Sequence, residues 1–262
     1  ITDVKHLIRD PYAIYAKHIL GLKRLDPLKK SPSAPLRGTV IHDILEAFIK
    51  AGPWRTAEQA KIKLLELSQT MLEDLVPWPT ARRMWQARVV RFADWFTKGE
   101  ILRQADLLSS HTEVWGRATV TDTGFTLVGK ADRVDVLHDG TARIYDYKTG
   151  PLPSSAQQLH FDKQLLLEAE ILQQGGFEGL NVLQVAEATY IGVGNELKLA
   201  KAPLGEDEVW VKFSKLIKSY QNPDQGYTAR RAMLMVDVPS DYDQLARYGE
   251  WGTNEQPLLI KT

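Results

Sequence analysis

The segment that most restricts the fold of this chain runs from Gly129 to Gly150, GKADRVDVLHDGTARIYDYKTG. Runs rich in Val, Ile and Tyr on either side of His138-Asp139-Gly140 read as two strands of a hairpin. Side chains alternate along a strand, so Val128, Lys130, Asp132, Val134 and Val136 are expected on one face of the first. Ile144, Asp146 and Lys148 share one face of the second. The turn length then decides which residues meet. A two-residue Asp139-Gly140 loop pairs His138 with Thr141 and sets Asp132 opposite Tyr147, on the wrong face. A three-residue loop pairs Leu137 with Thr141 and sets Asp132 opposite Asp146. It needs a left-handed third residue, which Gly140 supplies without strain. We expect the three-residue loop. Two carboxylates at one point repel unless a cation lies between them. Lys148 offers one positive charge, and the remaining negative charge suits a divalent metal. Spacing alone also permits a surface hairpin whose acids are solvated or paired with Arg133 and Lys148.

Upstream of this hairpin the pattern is helical. Helices are expected from Thr2 to Leu20, capped by Thr2 or Asp3 and kinked or split at Pro11, and from Gly38 to Lys50, stopped by Gly52-Pro53. Two more are expected from Thr56 to Leu75 and from Ala81 to Gln104, with a proline-rich loop over Leu25 to Leu36. Strands are expected at Thr112–Thr119, Thr126–Leu137, Thr141–Lys148 and Val182–Val193, with a return strand at Glu196–Lys201. Helices follow at Ser155–Gln174 and Glu206–Tyr220, and a short one near Asp241–Arg247. This order predicts an α/β fold: a central mixed β-sheet flanked by helices, with an N-terminal helical wrap. Residues 1–105 form the helical part, 106–201 the sheet, and 202–262 the last helix and tail of a single domain. The chain begins with Ile, as expected of a piece of a longer protein.

Composition narrows the chemistry. The chain has 262 residues and no cysteine, which excludes thiolate zinc, a cysteine nucleophile and a cluster held by its own thiolates. The cysteine count suits a reducing, cytoplasmic setting. No apolar run approaches a bilayer span of ~20 residues, and no signal peptide is visible. No GxxxxGK[ST] loop is present, which argues against P-loop ATP hydrolysis. Lys+Arg and Asp+Glu are both 33, so any grip on nucleic acid has to be local. One stretch qualifies: Pro79 to Arg103 holds six basic and two acidic residues. Trp85, Val89, Phe92 and Phe96 make its apolar stripe, leaving Arg88, Arg91 and Trp95 on another face for phosphate contact and base stacking. An ordinary solvated helix face is the blander reading of that pattern, and the commoner one.

Two further elements complete the set. In GTVIHDILEAFI, Val40, Ile41, Ile44, Leu45 and Phe48 form an apolar stripe. His42 and Glu46, four apart, lie at its border, where the imidazole can ligate a metal while a carboxylate orients its other nitrogen. In DKQLLLEAEIL, Gln164 and Glu168 are one turn apart, with Phe161 and Ile171 on the same side, and the Gln amide can donate to a phosphate or a water.

Together, RGTVIHDILE (Arg37–Glu46), GKADRVDV (Gly129–Val136), YDYKTG (Tyr145–Gly150) and Gln164 resemble the PD-(D/E)XK nuclease superfamily, in its RecB-like branch. The nearest resemblance is to the C-terminal nuclease domain of AddB-type helicase–nuclease subunits, reinforced by DPYAIYAKHILGL (Asp10–Leu22) and DYDQLARYGEW (Asp241–Trp251). The resemblance implies a restriction-endonuclease-like core and metal-dependent DNA exonuclease activity in double-strand-break repair of bacteria, on the 5′-ended strand. It implies Mg²⁺ or Mn²⁺ held by His42, Asp132, Asp146 and the Tyr147 backbone carbonyl, with Lys148 activating water. Gln164 and Glu113 would support the site, and an AddA-type subunit would be the partner. Two departures stand out: Asp10-Pro11-Tyr12 replaces the Cys-Pro of cluster-bearing relatives, and Glu168 replaces a frequent Tyr. A nuclease fold that binds without cutting, or a partner-docking scaffold, are the other readings.

Overall fold

The computed structural model describes residues 1–25, 27–205, 208–232, 239–252 and 254–255. Five strands form one mixed sheet in the order β1-β2-β3-β4-β5. They are β1 (Leu107–Thr119), β2 (Thr126–Leu137), β3 (Ala142–Lys148), β4 (Val185–Gly192) and β5 (Leu199–Lys201). All neighbours are antiparallel except β3 and β4, which run parallel. The parallel pair requires a crossover, supplied by α6 (Ser155–His160) and α7 (Gln164–Gln173). Helices α7 and α8 (Val209–Tyr220) pack on one face, while α3 (Ala34–Ala51), α4 (Ala57–Leu75) and α5 (Pro79–Arg103) cover the other. The result is the expected α/β architecture, a mixed sheet between helical layers.

The turn between β2 and β3 has the three-residue geometry. Arg133 pairs with Tyr145 and Val136 with Ala142, Leu137 N–H bonds Thr141 O at 2.9 Å, and Gly140 sits at φ +85°. Extended by one pair, that register sets Asp132 opposite Asp146.

Several boundaries differ from the sequence reading, each for a local reason. Helix α3 starts four residues earlier than expected, because Ser33 caps it by accepting from Leu36 N–H and Pro35 is harmless in a first turn. Pro11 does split the first helix, into α1 (Val4–Arg9), α2 (Pro11–Ile14) and a π-helical turn (Tyr15–Ile19). Asp3 makes no cap bond; its carboxylate instead takes Lys17 at 2.9 Å and His18 at 2.9 Å. The helix expected over Ser155–Gln174 breaks at Phe161–Lys163, where Arg9 of α1 stacks 4.3 Å over the Phe161 ring and lies 3.9 Å from Asp162. Phe161 is therefore not on the helix of Gln164. Residues 241–249 form successive turns rather than a helix, and Glu206 and Asp207, expected to open α8, lie outside the described residues.

The face assignment along β2 is also corrected. Leu127 and Ala131 point into the α7–α8 core before Asp132, and Val134 and Val136 after it. The alternation has changed phase, so Val128 and Lys130 are exposed rather than sharing a buried face with Val134. Opposite Asp132, Glu113 of β1 adopts φ +55°, and the ladder skips both residues between Thr112↔Arg133 and Val114↔Ala131. A non-glycine residue there carries strain of order 1–3 kcal/mol, which the surrounding structure has to hold.

The two ends of the chain are clasped by backbone and side-chain bonds. Tyr12 N–H bonds Thr228 O at 3.2 Å and Ala232 N–H bonds Arg9 O at 2.9 Å. Buried Asp10 accepts from Arg230 N–H at 3.0 Å and Ser240 Oγ at 3.4 Å. Asp10→Ala removes the buried acceptor that ties these segments together, so stability should fall by about 1–3 kcal/mol. Amide exchange should accelerate first at residues 228–232 and 240–243; exchange rising only in β1–β4 would show that the clasp is not where Asp10 acts.

Candidate active site

The strained β1–β2 junction brings three ligating groups together. One ligand atom from each of His42, Glu113 and Asp132 lies within 4.8 Å of the others. Each comes from a different element. The buried stripe of α3 (Val40, Ile41, Ile44, Leu45, Phe48) fixes the helix against the sheet and leaves half-buried His42 at its margin. Its Nδ1 lies 3.3 Å from Asp132 Oδ2. Asp132 also accepts from the Tyr147 backbone N–H at 2.9 Å, which ties β2 to β3 beyond the last ladder pair. Glu113 forms an ion pair with Lys130, its neighbour across the strands.

Asp146 lies outside that group of three. Its Oδ2 stands 2.7 Å from Lys148 Nζ, and its Oδ1 accepts from Gln164 Nε2 at 2.6 Å. Lys148 also donates to Gln164 Oε1 at 3.3 Å. Two carboxylates at close range repel, and here each has turned to its own cation and donor. Gln164 is placed by the break before α7, which makes it that helix's first residue. Its amide reaches Glu168 Oε1 at 3.2 Å as well.

The electrostatics mark one connected site. Burial pushes the Asp146 carboxyl up, Lys148 pulls it down and Asp132 raises it again, leaving it at about 6. Burial likewise pushes up the Asp132 carboxyl, but the hydrogen bond and charge of His42 outweigh it, and its pKa ends below the usual carboxylate range. Burial opposes the imidazolium of His42, yet Asp132 and Asp146 raise its affinity for a proton. Glu168 is fully buried beside Asp146, and burial, with the nearby Asp146 charge, drives its carboxyl well above the ordinary value. Its Oε2 has no hydrogen-bond partner.

Of the residues expected from sequence, the structure gathers His42, Asp132, Asp146, Lys148 and Gln164 on one end of the sheet. Tyr147 contributes its N–H to Asp132. Glu46 does not orient His42; it takes Lys50 Nζ at 2.6 Å, because a flexible ammonium one turn on is the nearer cation. Arg133 turns away from Asp132 and Asp146 and is buried with Glu100 and Asp135. Arg88 donates to Asn195 Oδ1 at 3.3 Å and Arg91 to Gly194 O at 2.7 Å, while Trp95 packs partly buried against the α3–α5 core. Sequence reasoning missed Lys130 and gave Glu113 only a supporting place. The signal for both was a pair of opposite charges on neighbouring strands.

One imidazole nitrogen and carboxylate oxygens within a few ångströms make a donor set that fits a divalent cation such as Mg²⁺ or Mn²⁺. With no cysteine in the chain, a thiolate-held iron–sulfur cluster has no ligands here. No helix among the described residues is long and apolar enough to cross a membrane.

The chain is similar to several known proteins. An uncharacterised protein of Rickettsia typhi is 26% identical over 205 residues, covering 75% of this chain and 24% of its own length. Another, from Rickettsia bellii, is 27% identical over 180 residues, covering 68% of this chain and 22% of its own. The chain thus spans about a quarter of the length of these relatives. The solved structure of SSO0001 is similar at a TM-score of 0.33 with 13% identity, over 80% of this chain and 82% of that one. The PD-(D/E)XK nuclease superfamily model matches residues 1–252, nearly the whole sequence and every element of the site described above, and the chain belongs to that superfamily.

Proposed function

We propose that this chain is a metal-dependent deoxyribonuclease domain, spanning residues 1–262, that hydrolyses phosphodiester bonds through His42, Asp132, Asp146 and Lys148. The observation that carries the reading is the joining of a His42–Glu113–Asp132 ligand group to a Lys148–Asp146–Gln164 triad across adjacent strands. A divalent cation held by His42, Asp132 and Asp146, with the Tyr147 carbonyl, would polarise the phosphate and stabilise the leaving oxygen. The Lys148 side chain, 31% exposed and anchored by Asp146 and Gln164, would orient the attacking water and donate to the charge that develops on the phosphate oxygens. Gln164 fixes both partners at once, so the ammonium reaches the reaction in one geometry. Glu113, held by Lys130, supplies a second carboxylate beside His42.

Exonuclease action on the 5′-ended strand, a role in double-strand-break repair, a bacterial cytoplasmic setting and an AddA-type partner belong to the same proposal. They rest on the resemblance of RGTVIHDILE, GKADRVDV and YDYKTG to the AddB-type branch.

The test is cleavage of labelled single- and double-stranded DNA with and without Mg²⁺ or Mn²⁺. Cutting should require the metal. Mn²⁺ should bind more tightly than Mg²⁺, because an imidazole nitrogen favours it. His42→Ala should weaken Mn²⁺ binding more than Mg²⁺ binding in calorimetric titrations. A protein that binds DNA but cuts it under none of these conditions would point to a binding module instead.

A further inference from the structure

Three arginines meet at the rim of this site. Burial and the positive charges of Arg37 and Arg91 both weaken the hold of Arg88 on its proton, so the three guanidinium groups act on one another. Among the described residues none of the three makes an ion pair. Arg88 and Arg91 spend their bonds on neutral acceptors of the turn after β4, Asn195 Oδ1 and Gly194 O. Arg37 Nε is shielded from solvent and has no hydrogen-bond partner. Like charges held together without a counterion are unfavourable, and an unmet buried N–H adds to the cost.

Their location is set by close backbone packing. Val193 N–H bonds Lys148 O at 2.9 Å. A Cβ on Gly194 would lie 2.3 Å from Thr149 O, so the 194–195 turn rests directly on the residue after Lys148. Gly38, next to Arg37, approaches the same residue: a Cβ there would stand 3.5 Å from Thr149 Oγ1. The cationic group therefore adjoins Lys148 on α3, α5 and the turn after β4, on elements that the core holds rigid.

We propose that Arg37, Arg88 and Arg91 clamp successive backbone phosphates of the DNA strand beside the bond that is cut. Guanidinium forks match phosphate oxygens bidentately, and a phosphodiester would satisfy the Arg37 donor and neutralise the repulsion. The clamp reads no base, so it grips any sequence and fixes the strand's register on Lys148. The inference rests on the nuclease reading, because a strand has to run past Lys148.

The test uses the chain carrying Lys148→Ala, so that DNA survives, and reads anisotropy of a fluorescein-labelled oligothymidylate over a series of KCl concentrations. Each phosphate contact adds about 0.7 to the slope of log K against log salt for a single strand. Arg88→Gln with Arg91→Gln should lower the slope by about 1.4, and Arg37→Gln by about 0.7. Lys98→Gln, on the same helix but paired with Asp94 at 2.7 Å, should leave it unchanged. Arg88→Lys keeps the charge and should keep the slope, which separates lost phosphate contact from lost folding. Inorganic phosphate should compete only weakly, since one phosphate cannot span the clamp. Slopes that match the parent's in both arginine-to-glutamine variants overturn the proposal, as does a parent that binds no DNA. If the parent with Lys148 intact fails to cut in Mg²⁺ or Mn²⁺ yet the slopes fall as stated, the clamp stands and the nuclease reading falls.

Discussion

Lys148→Ala is expected to slow DNA cleavage by on the order of 10³-fold while the protein still folds. The expectation follows from where the ammonium sits. Its stem is mostly buried, its Nζ is held by Asp146 and Gln164, and its charge is secured because Asp146 outweighs the burial that would strip its proton. A cation fixed in this way acts in the transition state without reorganising, and truncation removes it whole. The fold tolerates the loss because the partner left behind has an escape. Asp146 already has a carboxyl raised to about 6, and without Lys148 it can take up a proton near neutrality and become a neutral buried acid. Lys148→Arg keeps the charge, but a planar fork cannot reproduce a point charge bonded to two side chains, so only partial activity should return. The measurement is single-turnover cleavage at saturating Mn²⁺ beside a thermal melt. A rate within about tenfold of the parent, which is only about 1.4 kcal/mol of barrier, would remove Lys148 from the chemistry.

Much of this site was legible because a few residues leave the backbone little choice. Gly140 admits the left-handed turn, the turn fixes the β2–β3 register, and the register aligns Asp132 with Asp146. Thr56 lies where a helix start needs a side-chain acceptor, and the stripe around His42 predicts which side of α3 is buried. What was not legible depends on contacts between segments far apart in sequence. Nothing in GKADRVDV announces that Glu113, on another strand, will take φ +55° and shift the phase of β2 at Asp132. That shift helps set Glu113 beside His42 and Asp132, while Asp146 turns to Lys148 and Gln164. The break before Gln164 is likewise made by Arg9, more than a hundred residues away in the chain, stacking on Phe161. Local propensity favoured one long helix, and tertiary packing overrode it.

Arg133→Met should destabilise the fold by about 3–5 kcal/mol, because it strands two carboxylates in the core. Arg133 is fully buried and holds both in fork geometry: Glu100 at 2.8 and 2.8 Å, Asp135 at 2.7 and 2.7 Å. Arg103 adds a bond to Glu100 at 3.0 Å and Ser110 one to Asp135 at 2.6 Å, so two cations balance two anions. The sequence carried a trace of this. Glu100 falls four residues after Phe96, on the apolar stripe of α5, where a lone carboxylate could not stay charged. Its acidity shows what the arginines supply: burial pushes the carboxyl up, and Arg133 and Arg103 more than offset this, holding it at about 2 against an ordinary 4.5. A depressed carboxyl stabilises the fold above its unfolded-state value and loses that contribution as pH falls through the folded one. The parent should therefore lose about 3 kcal/mol from this group between roughly pH 4.5 and 2. Arg133→Met has no such contribution to lose. The gap between the two proteins in urea denaturation should be largest near neutrality and close as the solution is acidified through that window. A gap that stays constant with pH would assign the loss to packing rather than charge. Replacing Glu100 and Asp135 by Leu alongside Arg133→Met should recover most of the stability, because the network costs desolvation that an apolar core does not. Cleavage in the triple variant should then report whether the buried network does more than hold β2 and β3 in the register that presents Asp132 and Asp146.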